Sequence, residues 1–494
     1  MAPPPEPRSN QRIKFDQLFI NNEFVNSVSG ETYTSVNPST EKLLAVLQQA
    51  NEVDVDKAVK VARDAFEVGS PWRSLTDSAR GLLLNKLADL IEENVNEIAN
   101  LESLDNGKPF IQSYGQTLEA IKFVRYFAGC TDKIHGKTIS SDGGVLVYTT
   151  KEPVGVVGII IPWNYPIVLL SFKLSMALAA GCTVVVKPAE QTTLNALFLG
   201  HLIKEAGFPP GVVNILSCSG PAVGIALTHH KDVDKISFTG STMVGKLVLE
   251  AAAKSNLKKV TLELGGKSPA VVFNDADLDL ALKYISQSVF VTAGQTCFAP
   301  TRLYVQSGIY DKFVQKFIEI ASKIKVGGPF EADVFQGPQI DSVFLERVLS
   351  YIEIGKKEGA KCVLGGKRHG SVGYFIEPTV FTEVTDDMTI TKDEIFGPVE
   401  IIFKFDTLDE VIRRANNNKY GLAAGVFTEN LNTAVQFSKA IQAGTVWVNQ
   451  WANLSPQTPF SGHKMSGMGT ELGIDSLDGL MNTKVTNIRL SSDE

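Results

Sequence analysis

Cysteine is scarce in this chain of 494 residues. There are five, Cys130, Cys182, Cys218, Cys297 and Cys362, widely spaced and without a CxxC pair. An odd count at such spacing gives neither a disulfide framework nor a zinc pattern. The six histidines are scattered, with His229-His230 the only adjacent pair, so no metal is expected. An excess of positive charge is missing too: the formal charge is −7 and the Lys and Arg residues are dispersed, which argues against a nucleic-acid partner. The longest apolar stretches, residues 154–162 and 177–186, fall short of the ~20 residues that cross a bilayer. The proline-rich start, residues 1–8, has no apolar signal core and reads as a frayed arm on a cytoplasmic protein. There is no internal repeat. The dinucleotide fingerprint GxGxxG is also absent, so a cofactor phosphate, if one binds, needs another seat.

What is present is an ordinary globular balance, 44% apolar and 20% charged residues, in a chain too long for one core of about 250 to 300 residues. Two large domains with a cleft between them are expected. Residues 53–100 carry apolar positions at helical spacing. Short β-branched runs at 154–161 and 183–186 then flank an apolar segment, 167–180, long enough for a helix, which makes one β-α-β unit. The alternation continues through 194–206 (helix), 212–216 (strand), 222–228 (helix) and 235–239 (strand). A second series has strand candidates at 269–273, 301–305, 399–405 and 444–448, with long helices at 309–324 and 344–358. The expected class is α/β, with parallel sheets covered on both faces. Residues 136–150 and 484–490 alternate like exposed strands, and exposed edges are commonly covered by subunit pairing, so an oligomer is expected.

Five local patterns carry candidate chemistry. Phe238-Thr239-Gly240-Ser241-Thr242-Met243-Val244-Gly245 follows a strand and opens a helix, where free N–H groups and the helix dipole favour an anion. Lys187-Pro188-Ala189-Glu190 lies at the carboxyl end of a strand, placed to hold ribose hydroxyls; the carboxylate would repel an added phosphate and favours NAD over NADP. Asn164, set between Pro162 and Pro166, is an amide donor suited to a developing oxyanion. Glu263 sits in an apolar run before Gly265-Gly266, where burial would raise its pKa and make it a usable base. Cys297 lies in a small turn, Gly294-Gln295-Thr296-Cys297, that leaves its sulfur reachable. Taken singly, each has a plainer reading: a turn, a solvated loop pair, a turn amide, an acid pointing to water, a buried inert thiol.

Their order, spacing and wording together resemble the aldehyde dehydrogenase superfamily, particularly its class 1 and 2 enzymes. The resemblance runs from Phe19-Ile20-Asn21-Asn22-Glu23-Phe24 through Glu394-Ile395-Phe396-Gly397-Pro398 to Lys464-Met465-Ser466-Gly467. It implies two doubly wound open-sheet domains plus a small β oligomerisation element: residues 1–134 and 154–263 for NAD, 264–465 for catalysis, and 135–153 with 480–494 for a homodimer or homotetramer. It also implies NAD-dependent oxidation of aldehydes through a cysteine thiohemiacetal and thioester. Cys297 would be the nucleophile, Asn164 and the Cys297 N–H the oxyanion donors, and Glu263 the base, with no metal. Lys187 and Glu190 resemble adenosine-ribose partners, Trp163, Gly220, Gly240, Ser241 and Gly245 cofactor-pocket positions, and Glu394 and Phe396 the nicotinamide-ribose side. Tyr165, Leu169, Phe172, Val291, Leu454 and Phe460 match tunnel positions and imply a hydrophobic aldehyde.

The chain departs from the usual class 1 and 2 pattern near these sites. Thr292 replaces asparagine, Met243 a glutamate, Phe344 a polar cofactor-side residue, Ser461 a glycine and Thr470 an arginine, and Ile474-Asp475-Ser476 diverges. Those departures support an alternative, a catalytically weak or inactive structural member of the lens-crystallin (omega) type. A cofactor-free cysteine hydrolase has little support, since no histidine has a motif-like setting to pair with Cys297.

Overall fold

The computed structural model describes residues 5–490; residues 1–4 of the proline-rich arm and 491–494 of the expected oligomerisation element lie outside the described residues. Its first sheet has eight strands in the order Glu23–Val25, Leu18–Ile20, Val213–Ile215, Thr183–Lys187, Val156–Ile160, Lys235–Thr239, Lys259–Glu263, Gly467–Met468. The five strands from Val213–Ile215 to Lys259–Glu263 are parallel; Leu18–Ile20 and Gly467–Met468 run antiparallel to them, and Glu23–Val25 forms an antiparallel hairpin with Leu18–Ile20. Near-continuous β-branched runs such as Thr183–Lys187 are fully buried, as a sheet covered on both faces requires.

Strand order fixes where a ligand can sit. From Val156–Ile160 the chain lays down Thr183–Lys187 and Val213–Ile215 on one side, then returns to place Lys235–Thr239 and Lys259–Glu263 on the other. The reversal lies between Val156–Ile160 and Lys235–Thr239, and ligands bind doubly wound sheets in the crevice beyond such a switch point. The loops leaving those two strands are 161–165 and 240–241, which carry Asn164 and the glycine turn.

The second sheet has seven strands, Lys361–Leu364, Thr379–Thr382, Val399–Phe405, Arg302–Gln306, Pro269–Val272, Ala423–Phe427 and Thr445–Val448, all parallel except the first pair. A small antiparallel sheet joins Thr138–Ile139, Val145–Pro153 and Met481–Arg489, the last two paired along their whole length. The α/β reading holds, and most expected elements sit within a residue or two of their place. The helix Phe110–Ala128, which the sequence reading did not pick out, packs on both Asp77–Glu93 and Pro166–Ala179. Burial on more than one face erases the single apolar stripe that betrays a helix in sequence.

Beneath the switch-point loops lies a polar layer. Every residue from Ile98 to Asn106 at the end of the helix Val95–Asn106 is buried. Glu102 pairs with Lys108 at 2.8 Å, both side chains fully inaccessible, and also accepts from Ile167 N–H (3.2 Å) and Asn195 Nδ2 (2.9 Å). Lys108 Nζ donates further to Gln116 Oε1 (2.6 Å) and to the Asn164 carbonyl (2.9 Å), while Asn106 Nδ2 donates to the Trp163 carbonyl (2.6 Å). The loop bearing Asn164 is therefore held from below by side chains, not by a ladder. Removing one partner of a buried pair strands the other charge, at a cost of about 3–5 kcal/mol. Lys108→Met is expected to lower the thermal unfolding midpoint accordingly; an unchanged midpoint would show that the pair does not support the fold.

Candidate active site

Loops from both sheets enclose a cavity of about 360 Å³. Cys297, Asn164 and Glu263 line it, and so do Trp163, Gly240, Ser241, Glu394 and Phe396. Lys187, Glu190, Gly220 and Gly245 stand outside its wall. The six residues matched to tunnel positions also line it, beside Phe123, Val168 and Phe298.

The nucleophile candidate closes a turn of unusual backbone. Thr292 and Ala293 hold φ of 51° and 53°, and Gly294 holds 73°. A run of left-handed residues that is not glycine stays only where the surroundings hold it. Here amides do so: Gln295 Nε2 donates to the Thr292 carbonyl (2.9 Å), Gln339 Nε2 to the Ala293 carbonyl (3.0 Å), and Gln295 Oε1 accepts from Ile340 N–H (2.9 Å). A Cβ on Gly294 would lie 2.1 Å from the Gly397 carbonyl oxygen, and one on Gly266 2.3 Å from that of Cys297, so both glycines permit close backbone approach. Cys297 is only partly exposed, and burial, with Glu263 and Glu394 nearby, pushes its thiol well above the usual range. At rest it holds its proton.

Asn164 is buried, donates from Nδ2 to the Gln295 carbonyl (2.9 Å), and leaves Oδ1 without a partner. One N–H is thereby tied to the cysteine turn and the other remains free. Glu263 ends the strand Lys259–Glu263, 4% exposed, with Oε1 unpartnered. Burial above all, then the Glu471 charge, pushes its carboxyl well up; Lys173, ion-paired with Glu471, opposes this. Glu263 also accepts the Gly240 N–H through its carbonyl (3.0 Å), tying the base to the glycine turn.

On the other side of the cavity the donor set suits a dinucleotide. Ser241 caps the 13-residue helix Thr242–Lys254, whose first N–H groups have no helical partner. A Cβ on Gly240 would strike the Phe238 ring at 2.5 Å, and one on Gly245 would meet Leu264 at 2.5 Å, so the turn is packed as only glycine allows. Thr239 Oγ1, buried on the cavity wall, lacks a partner, which leaves a polar atom for a ligand to satisfy. Trp163 packs edge-on to Phe344 and Phe396, with ring centroids at 4.8 and 5.4 Å. Glu394 accepts from Gly266 N–H (3.0 Å); burial pushes its carboxyl to about 7 against Arg347, Lys267 and Lys419. Glu190 Oε2 accepts from Gly220 N–H (3.1 Å), and Lys187 Nζ donates to the Pro188 carbonyl (3.1 Å).

Sequence reasoning missed Lys108, Gln295, Gln339, Thr239 and Arg347, because nothing local in the chain foretells which distant backbone groups their side chains meet. Arg347 donates to the Glu394 carbonyl at 2.9 Å. Of the departures, Met243 is exposed, Phe344 joins the aromatic group, and Thr292 bears the strain. A β-branched residue pays more for positive φ than asparagine does. Thr292→Asn is expected to stabilise the fold by about 1 kcal/mol in thermal or denaturant melts. Equal or lower stability would mean that the contact from Thr292 Oγ1 to the Tyr165 hydroxyl (3.4 Å) outweighs the relief.

Comparisons with known proteins cover nearly the whole chain. The model of the aldehyde dehydrogenase family matches residues 24–486. "Aldehyde dehydrogenase, cytosolic 1" of Rattus norvegicus is 53% identical, over 99% of this chain and 97% of its own length, and "Aldehyde dehydrogenase 1A1" of Gallus gallus is 54% identical over 98% and 96%. Among solved structures, the NAD+ complex of aldehyde dehydrogenase from Bacillus cereus superposes with a TM-score of 0.95 at 48% identity, covering 97% of both chains. The NAD-dependent aldehyde dehydrogenase of Sinorhizobium meliloti gives 0.96 at 38%, covering 99% of this chain and 98% of its own. With nearly its whole length matched in both sequence and fold, the chain belongs to the aldehyde dehydrogenase family.

Proposed function

We propose that the protein oxidises aldehydes to carboxylic acids with NAD, using Cys297 as nucleophile. The observation that carries this reading is the meeting of a thiol, a free amide N–H and an unpartnered acid on one cavity, beside a glycine turn and helix N-terminus suited to the cofactor phosphates. Cys297 Sγ bonds to the aldehyde carbon as its proton passes to solvent, and the carbonyl oxygen becomes an oxyanion held by Asn164 Nδ2 and the Cys297 N–H. Bound NAD would supply the hydride acceptor, so that oxidation of that carbon would give a thioester on Cys297. Glu263 then takes a proton from water, whose oxygen attacks the thioester; the acid departs and the thiol is restored. Lys187 and Glu190, held near Gly220, would bind the adenosine ribose, and Glu394 and Phe396 the nicotinamide side. A carboxylate at Glu190 disfavours the extra phosphate of NADP. We assign residues 1–134 with 154–263 to cofactor binding, 264–465 to catalysis, and 135–153 with 480–494 to assembly. The strand Gly467–Met468, which falls outside these spans, pairs with the cofactor sheet at Leu262 and Glu263.

Nothing in the site favours an inert structural role: the three candidates Cys297, Asn164 and Glu263 line one cavity. A homodimer or homotetramer is supported by the open outer edge of Met481–Arg489, the edge strand Thr445–Val448, and the exposed Met243, Leu247 and Leu249 of the helix Thr242–Lys254. No helix among the described residues is long and apolar enough to cross a membrane. A cytoplasmic location suits five cysteines that are all free, one of them assigned as a nucleophile.

NADH formation from NAD and a panel of aliphatic and aromatic aldehydes tests the reaction, and Cys297→Ala is expected to abolish it. Both Cys297 and Glu263 are pushed up, and both must lose a proton to work, so the rate is expected to rise with pH from 6 to 9. Glu263→Gln should cost on the order of 10² to 10⁴ in rate. Turnover surviving Cys297→Ala would reject the thiol route. Light scattering on a sizing column should give at least twice the 53.6 kDa chain mass; a monomer would refute the assembly.

A further inference from the structure

The substrate end of the cavity is not wholly apolar. The helix Phe110–Ala128 presents Gln116 and Glu119, one turn apart, to its wall. Gln116 is accounted for by Lys108 (2.6 Å). Glu119 is half-buried, lines the cavity, and has no hydrogen bond or ion pair among the described residues; the only charge that favours its ionised form is the more distant Lys122. Burial pushes its carboxyl above the usual range, and its charge is felt at Tyr165, whose hydroxyl shares a 2.8 Å hydrogen bond with Thr296 beside Cys297. The same cavity is lined by the rings of Phe123, Tyr165, Phe172, Phe298 and Phe460, Phe123 one helical turn on from Glu119.

An unpaired carboxyl in an aromatic wall has a direct chemical reading. A purely hydrocarbon substrate would strip the remaining water from Glu119 and give nothing back. A cationic group would restore the missing partner, and the ring faces attract the same charge. Among the described residues the lining holds the acids Glu119, Glu263, Glu394 and Glu471, the last ion-paired with Lys173 behind the wall, against a single lining cation, Arg347, which is engaged with the Glu394 carbonyl. We propose that Glu119 and the rings around it form a cation site, and that the preferred substrates are aldehydes carrying an ammonium group distal to the carbonyl. This replaces the hydrophobic-aldehyde expectation drawn from the tunnel positions alone, and it rests on the aldehyde-oxidation reading above.

The test compares 4-(trimethylammonio)butanal with its neutral carbon isostere, 5,5-dimethylhexanal, at saturating NAD. The parent protein should favour the ammonium aldehyde in kcat/KM by at least about tenfold, and Glu119→Gln should cut that ratio about tenfold or more, through KM rather than kcat. A parent that favours the neutral aldehyde, or a ratio unmoved in Glu119→Gln, overturns the proposal while leaving aldehyde oxidation standing. If neither aldehyde is oxidised, the oxidation reading fails, and calorimetric binding of the two corresponding alcohols decides the cation site by itself. Tighter binding of the ammonium alcohol, lost in Glu119→Gln, supports the site; equal binding of the two alcohols overturns it.

Discussion

A thiol and two carboxyls line one cavity, where burial works against charge on each of them. Burial alone drives Cys297, Glu263 and Glu394 toward their neutral forms, and each negative charge that forms there opposes the next. Reactive cysteines usually sit in electropositive surroundings that hold the thiolate. Cys297 has acids for neighbours instead, so its resting state is the protonated one and its activation has to be coupled to the arrival of other groups. A cationic nicotinamide ring nearby would shift the balance toward thiolate, and the aldehyde then meets a nucleophile that exists mainly when the partner for hydride transfer is present. The same logic orders the second half of the reaction, in which Glu263 has to be unprotonated to take a proton from water.

Such a site needs a rigid frame, because its groups gain nothing from being together unless they are held in register. The frame here is polar and non-local. The Glu102–Lys108 pair and Asn106 grip the carbonyls of the loop that carries Asn164, while Gln295, Gln339 and Asn164 grip the carbonyls of the turn that carries Cys297. Asn164 thus belongs to both, and a shift of the cysteine turn moves its oxyanion donor with it. The left-handed backbone at Thr292 and Ala293 is the cost of aiming the thiol into the cavity, and the amides are what makes that cost sustainable.

How much of this could be read from the chain depends on how local the cause is. The parallel strands were legible because a doubly buried strand must be a continuous β-branched run, as at Thr183–Lys187. The glycine turn was legible because a helix opening directly after a strand is a backbone feature. Glu263 could be recognised as a buried acid from its apolar neighbours, but the fields of Glu471 and Lys173 reach it from positions far away in the chain. The helix Phe110–Ala128 escaped notice through burial on more than one face, and Glu119 escaped with it. The tunnel therefore read as apolar from the positions that were recognised, since the element supplying Glu119 was not.

That omission bears on how the cavity divides its labour. At the cofactor end the polar atoms are either committed, as with Glu394 on Gly266 and Arg347 on the Glu394 carbonyl, or suited to sugar and phosphate, as with Thr239 Oγ1 and the helix N-terminus. At the far end Glu119 has no such commitment. Cys297 lines the same cavity as both, and in the proposed reaction a substrate anchored by its distal charge would lay its carbonyl across the thiol. Anchoring at a distance from the reacting carbon contributes to rate by fixing that geometry, so long as the tether length matches the span. A single carboxyl on a helix packed against the Asn164 loop would then set substrate choice without touching the chemistry, and the acids around Cys297 would remain free to govern the protons.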